Sequence, residues 1–398
     1  MDAQIKKTTI ILADGRKLIY FDDNIEYVEG KKNRETKDER PLKNQYEHFY
    51  NEDGSIKEEN LPQMRYDILM DEWIPMATHR MNRTFMPPKE ANPLAPKNKN
   101  CKQSDSEIPS TDYDVVVFEN RFPSFLTVPG AKNEEKIFDK NKIFKSKPAN
   151  GKCEVICFGP KIDQPLVEMG KKRMRTIIEA WADRTKNLYD IEQIKQVYCF
   201  ENHGQAIGVT LQHPHGQIYA YPYVTPRMKK IVENTEKYYE KHKTNLFDDL
   251  IKGYEQNQKE LIICQTQNWI LYVPYAAKWP LQMHLMAKRQ VSTINCLNDE
   301  EKNELSELYL TMIKIANKFF RKHDGTYIEV PYISSWNQAP KGNNQIRLFC
   351  DFFSFQRSEN KIKYLAGSES GMGAWISDTS PEKIAFRLKQ IYDNEINK

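Results

Sequence analysis

The feature that most constrains this chain is an order of apolar segments that runs through it twice. Asp114-Val115-Val116-Val117-Phe118 and Glu154-Val155-Ile156-Cys157-Phe158 read as buried strands. Residues 166 to 188 then carry Leu166, Met169, Met174, Ile177, Ile178 and Trp181 at helical spacing. Val197-Tyr198-Cys199-Phe200 reads as a further strand running into a turn at Glu201-Asn202-His203-Gly204, and Ile207–Leu211 and Ile218–Tyr221 as strand-like runs that complete the block. A polar, amphipathic helical stretch over 227–258 follows, and the series starts again. Trp269–Pro274 stands where Val115–Asn120 stood, and Met283–Ala287 where Val155–Gly159 stood. Residues 298–322 place Leu305, Leu308, Met312, Ile315 and Phe319 on one stripe. Ile333–Ala339 echoes Cys199–Gln205, and Arg347–Phe353 falls where His213 to His215 fall in the first series. Two copies of a strand–strand–helix–strand–strand unit imply duplication. Antiparallel strands with one segregated helix per unit predict an α+β fold, mostly antiparallel sheet with flanking helices.

A chain of 398 residues, 39% hydrophobic, is long enough to bury two such units. Ahead of them, Thr8–Leu12 and Leu18–Phe21 flank Asp14-Gly15, a hairpin signal. Residues 29–62 are polar with few large aliphatics, which suits an extended surface arm or plain disorder. The expected division is a hairpin and arm over 1–62, a first domain over 63–226 and a second over 227–398. Residues 88–112, rich in Pro, Asn, Lys and Ser, read as a loop.

Charge and cysteine usage exclude some classes. Fifty-nine Lys and Arg against 55 Asp and Glu leave a net charge of +4, far from the basic stripe of a nucleic-acid binder. Seven scattered cysteines without a Cys-x-x-Cys pair read as reduced thiols, with Cys153, Cys157, Cys199 and Cys264 in apolar runs. The first residues lack an apolar leader core, and no run approaches 18 apolar residues, so no membrane span and a cytoplasmic location are expected.

The residues that carry chemistry are His213-Pro214-His215-Gly216-Gln217. Two positions apart on an extended segment, the imidazoles share a face, and proline stiffens the backbone between them. Imidazole becomes a nucleophile when one nitrogen is held by an acceptor and the other meets the electrophile. Phosphorus suits it, which predicts a nucleotidyl-histidine at His215 and a two-step, ping-pong exchange between a nucleoside diphosphate sugar and a sugar phosphate. Gly204, Gly208 and Gly216 admit close approach of backbone to phosphate, and Asn202, Thr210 and Gln217 offer uncharged donors. The bland alternative is two core or surface histidines in a strand.

With those residues in view, the chain resembles the galactose-1-phosphate uridylyltransferase family of the histidine-triad superfamily. The likeness runs through Arg65-Tyr66-Asp67 to Arg83, with Asp71-Glu72-Trp73 and Thr78-His79-Arg80, then Val117–Pro123, Phe200–Gln217 and Lys363–Glu369. Leu12–Asp23 is similar to one bacterial branch. The resemblance implies a duplicated histidine-triad-like fold, and uridylyl exchange between UDP-glucose and galactose 1-phosphate. It puts the uridylylated histidine at His215, the phosphate-binding glutamine at Gln217, and nucleotide contacts at Asn120, Asn202, Gly208 and Thr210. It implies a homodimer, with Arg80 reaching phosphate from the partner subunit and Lys363 and Glu369 completing the sugar site.

The chain also departs from the family pattern. Many members hold zinc through a Cys-x-x-Cys pair and two histidines, one of them the first of His-Pro-His. Asn92-Pro93-Leu94-Ala95-Pro96 stands where both thiolates would be, and Ile162 where a third ligand would be. His213 alone cannot hold zinc, and Cys101 is a weak substitute. Positions of a second, iron-type site are Asn337, Phe349 and Asp351. Neither metal is therefore expected, and His213 is expected to support His215 by hydrogen bonding or packing. Rival expectations are a related nucleotide-sugar phosphorylase or transferase with another base or sugar, and a non-catalytic nucleotide-binding homologue.

Overall fold

The structure is a computed structural model describing residues 4–77, 92–96 and 106–396. The chain opens with β1 (Lys6–Ile11), β2 (Lys17–Asp22) and the short α1 (Ile25–Val28). An irregular arm leads to β3 (Gln63–Asp67), β4 (Glu72–Met76) and β5 (Val115–Glu119). Next come β6 (Lys136–Ile137), β7 (Lys145–Pro148), β8 (Lys152–Cys157), α2 (Leu166–Tyr189), β9 (Gln196–His203) and β10 (His215–Tyr221). After α3 (Pro226–His242) and α4 (Leu246–Asn257) lie β11 (Ile262–Gln265), β12 (Trp269–Tyr272), β13 (Leu281–Ala287), α5 (Asp299–Ala316), β14 (Tyr332–Asn337) and β15 (Phe349–Ser354). The chain closes with β16 (Gln356–Ser358), β17 (Lys361–Ile362), α6 (Gly367–Met372) and α7 (Pro381–Glu395).

Eleven strands form one sheet in the order β1-β2-β5-β8-β10-β9-β14-β15-β13-β12-β11, all antiparallel. The repeat read from the sequence is visible in that order. Each unit pairs its strands first-second-fourth-third, and the two third strands, β9 and β14, meet at a central seam from Tyr332↔His203 to Ser335↔Phe200. The two unit helices, α2 and α5, lie together over that seam. Their apolar stripes, with Ile177, Ile178 and Trp181 from one and Leu305, Tyr309 and Met312 from the other, close one continuous core with residues of both units. Trp181 meets Tyr309 and Trp336 edge-on at 5.8 and 6.2 Å. A bidentate pair from Arg184 of α2 to buried Glu154 of β8, 2.8 and 2.7 Å, anchors the first helix to the first half of the sheet.

Several local expectations shift. Residues 227–258 form two helices because Lys243 turns left-handed (φ 58°) and Asn245 caps a new start. Residues 201–203, expected in a turn, extend β9, since the seam gives their backbone a partner. Ile207–Leu211, expected as a strand, is instead a one-turn 3₁₀ segment (Gln205–Ile207) and irregular chain, bracketed by positive φ at Gly204 and Gly208. Of the expected buried thiols, Cys153, Cys157 and Cys199 are buried and Cys264 is half-buried.

The arm is held down by charge at its start and by apolar burial at its end, where Phe49 packs with Leu126 and Val128. Arg34, buried, meets Asp22 at 2.6 Å and Asp112 at 2.7 Å, and Arg40, also buried, pairs with Asp38 and reaches the Ser106 carbonyl. Ile11 and Lys37 form a parallel bridge, and Lys6 reaches Asn33 at 2.7 Å, so the arm runs beside the outer strand β1. A separate four-stranded sheet, β4-β3-β7-β6, went unread in the sequence. Among the described residues no helix is long and apolar enough to cross a membrane.

Candidate active site

The two faces of the sheet differ, and the difference selects the site. Gly216, Ile218 and Ala220 of β10 are buried, while His215, Gln217, Tyr219 and Tyr221 on the alternate face are only half-buried. Opposite residues of an antiparallel pair share a face, so Gln217 lies beside Phe200 of β9 and Val155 of β8, and His215 beside Cys157. Asn202, two residues beyond Phe200, is on that same face and half-buried. The helices α2 and α5 cover the other side of the sheet, while α3 and α4 pack on the face of His215 over the second unit, where Tyr254 meets Tyr272 and Arg227 meets Asp351.

His215 Nδ1 lies 2.6 Å from the carbonyl oxygen of His213. A carbonyl only accepts, so the proton sits on Nδ1 and the lone pair on Nε2. That is the tautomer a nucleophile needs, and the Nδ1–H bond would stabilise the positive charge that grows on the ring during attack. The carbonyl is well placed to do this because Pro214 separates the two histidines and its own oxygen accepts from Phe158 N–H at 3.1 Å, pinning the segment to the end of β8.

His213 is buried, 1% exposed. Its Nδ1 is 2.9 Å from Asn92 Nδ2, and its Nε2 is 2.7 Å from the Gly159 carbonyl and 2.8 Å from the Tyr113 hydroxyl. Burial pushes its pKa down to about 4; the Gly159 carbonyl works against that shift and His215 adds to it. The ring is therefore neutral over the physiological range. Asn92 and Tyr113 were not singled out in the sequence as polar partners. Asn92 stood out there only as a missing thiolate.

The glycines divide by role. Gly208 is left-handed (φ 80°), with open space where a side chain would be, as close ligand approach requires. Gly216 does not fit its expected phosphate-facing role. It faces the core, and a Cβ there would lie 2.9 Å from the Phe200 carbonyl and 3.1 Å from Phe158. Gly204 combines φ 97° with close packing on Pro331.

The remaining expected residues are spread along the chain. Asn120 follows β5, with its amide N–H on the Cys153 carbonyl at 2.8 Å and its side-chain oxygen accepting from Phe122 N–H at 2.9 Å. Thr210 is half-buried in the segment leading to His213. Lys363 is buried beyond β17, with its ammonium at 3.0 Å from Asp378, 3.5 Å from Glu369 and 2.5 Å from the Ile376 carbonyl. Lys363 and Glu369 thus meet each other. Arg80 and Cys101 lie outside the described residues.

Neither metal pattern is met. Both nitrogens of His213 are committed to protein partners, and Ile162 offers no ligand atom. Asp351 is buried and ion-paired with Arg227 at 2.7 Å, and it accepts from Gln282 at 3.0 Å. Burial opposes its ionisation, but His284 and Arg227 outweigh that and hold the carboxyl well below the usual range. Phe349 and Asn337 complete that corner without metal-binding chemistry of the required kind. Among the described residues no three His, Cys, Asp or Glu side chains gather as a metal site would need.

A half-buried histidine in its nucleophilic tautomer beside a glutamine, on a duplicated antiparallel sheet, is the frame of a nucleotidyl-transferring enzyme. Comparison with known proteins gives the family. Residues 51–225 match the model of the galactose-1-phosphate uridyl transferase N-terminal domain, and residues 231–394 match that of its C-terminal domain. The galactose-1-phosphate uridylyltransferase of Streptomyces lividans is 31% identical across 98% of this chain and 99% of its own length. That of Thermotoga maritima is 29% identical over 82% of this chain and 98% of its own. A solved uridylyltransferase structure superposes with a TM-score of 0.72 at 27% identity, covering 84% of this chain and 99% of the other. The chain belongs to the galactose-1-phosphate uridylyltransferase family, and it is a nucleotidyltransferase of the uridylyl-transferring kind.

Proposed function

We propose that the protein exchanges a uridylyl group between UDP-glucose and galactose 1-phosphate, in galactose metabolism, through a uridylyl-histidine at His215. The observation that carries this is the 2.6 Å contact from His215 Nδ1 to the His213 carbonyl, which leaves the nucleophilic lone pair on Nε2. In the first step Nε2 attacks the α-phosphorus of UDP-glucose. A P–N bond forms, the P–O bond to the leaving group breaks, and glucose 1-phosphate departs with the electron pair. The leaving phosphate is a weak base and needs no proton. In the second step an oxygen of galactose 1-phosphate attacks the same phosphorus, the P–N bond breaks, and UDP-galactose is released.

In this reading Gln217, on the face of His215, donates its amide to a non-bridging phosphoryl oxygen. Asn120, Asn202, Gly208 and Thr210 hold the nucleotide. The protein acts as a cytoplasmic homodimer, in which Arg80 reaches phosphate from one protomer and Lys363 and Glu369 serve the sugar site of its partner. The working division is a hairpin and arm over 1–62 and two domains over 63–226 and 227–398.

Incubation with UDP-glucose should add one uridylyl mass to the intact protein, and His215→Ala should abolish the adduct. ADP-glucose and GDP-sugars should label at least about tenfold more slowly, because a pocket that hydrogen-bonds one base leaves polar groups unpaired with another. Absence of any adduct, or label retained in His215→Ala, refutes the mechanism.

A further inference from the structure

We infer that Asn92, with Tyr113, is a positioning residue that clamps His213 by hydrogen bonds where relatives use a metal, and so fixes the carbonyl that orients His215. The inference rests on the uridylyl-histidine reading for its kinetic consequence, but its structural core stands apart from it.

Every donor and acceptor in the clamp can be assigned without choice. Leu94 N–H donates to Asn92 Oδ1 at 3.1 Å, which settles the amide's orientation and turns Nδ2 toward His213. Nδ2–H donates, so His213 Nδ1 must accept. The ring proton then sits on Nε2 and donates to the Gly159 carbonyl at 2.7 Å. Tyr113 spends its own O–H on the Leu94 carbonyl at 2.9 Å, so its oxygen is left to share the Nε2–H at 2.8 Å. Cys157, also against Tyr113, stays a thiol because burial pushes its pKa up. A metal on His213 would need a ring lone pair, and the pair on Nδ1 already accepts from the amide while Nε2 carries the proton.

The clamp closes a short path to the nucleophile. Asn92 and Gly159 hold the His213 ring from opposite sides, and the ring holds the residue whose carbonyl accepts from His215 Nδ1. A freely turning His213 would let that carbonyl wander, and the lone pair on His215 Nε2 with it. Small displacements of this kind reduce the rate of the chemical step more than they reduce binding.

The test uses the full chain. Wild-type protein dialysed against EDTA should keep its rate and hold far less than one zinc per chain by plasma mass spectrometry. With ¹⁵N-labelled histidine, the His213 ring should show the Nε2–H neutral form and not titrate between pH 5 and 8. Asn92→Ala should lower kcat about tenfold with KM within about twofold, as outer-shell changes do. Asn92→Asp, close to isosteric, replaces the donor with an acceptor. It should draw a second proton onto His213, make that ring titrate within the pH 5–8 window and give the rate a new pH dependence. Stoichiometric zinc whose removal abolishes activity overturns the inference, as does an Asn92→Asp protein with unchanged ring titration and rate. Should wild type form no adduct at all, the proposed reaction fails while the zinc and nitrogen readings still decide the clamp.

Discussion

At the scale of single residues, the seam between the units holds a buried acid that the reaction does not use. Glu201, 3% exposed, accepts from the Tyr332 hydroxyl at 3.0 Å through one oxygen, and its other oxygen has no hydrogen-bond partner. Burial raises its pKa from 4.5 to about 7, and His203 and Tyr332 only partly offset that. Between those values the folded chain holds a proton that the unfolded chain releases. The stabilisation is therefore complete below pH 4.5 and is lost as pH rises through about 7, a change on the order of 3 kcal/mol. Glu201→Gln keeps the acceptor for Tyr332 and removes the titration. Its melting temperature should exceed that of wild type increasingly from pH 5 to 8, and parallel curves in thermal melts would contradict this. His215, His213 and Gln217 were visible in the sequence because they stand together in five contiguous residues, in the company of glycines and amides that suit a phosphate. Asn92 and Tyr113 were not visible as partners of His213. They lie 121 and 100 positions away, and only the folded sheet brings them to it.

At the scale of elements, α5 shows how local signals fix a boundary. Asn298 accepts from Glu301 N–H at 2.9 Å and Glu301 returns the bond to Asn298 N–H at 2.8 Å, a reciprocal cap that Arg289 reinforces at 2.7 Å. Asn298→Ala should cost about 1 kcal/mol in denaturant titrations and leave kcat unchanged, since α5 lies on the far side of the sheet from His215. The strands of both units were legible because their apolar runs are short, β-branched in β5 and aromatic in β15. The helices were legible from their 3.6-residue stripes, although α5 ends at Ala316, short of the expected 322. What failed was where conformation depends on one residue or on a distant partner. Lys243 breaks a helical stretch by turning left-handed, and Gly204 and Gly208 turn an apolar run away from the sheet. The β4-β3-β7-β6 sheet is completed by a pairing between segments about 80 residues apart (Gln63↔Pro148), with charged residues such as Arg65 and Lys145 in its strands.

At the scale of the whole molecule, the two units share one sheet and one core. Cutting between them would expose the edge of β9 over Phe200–His203 and the faces of Trp181, Ile177 and Ile178 on the core side. A fragment of residues 1–226 should accordingly fail to fold cooperatively, giving broad melts and dispersed sizes in chromatography. A sharp two-state transition from a monomeric fragment would show that the first unit stands alone.

The arm beside β1 has a consequence for how the chain behaves in company. A long sheet presents unpaired backbone groups on its outermost strand, a template onto which a strand of another molecule can add. Here the outermost strand carries Lys6 and Lys7, Lys7 is paired with Asp183, and the arm's Lys37 occupies backbone positions at Ile11. The arm's buried arginines keep it there. What reads in the sequence as a polar stretch thus lies along the β1 edge and hinders strand addition there, at one of the two edges of the sheet.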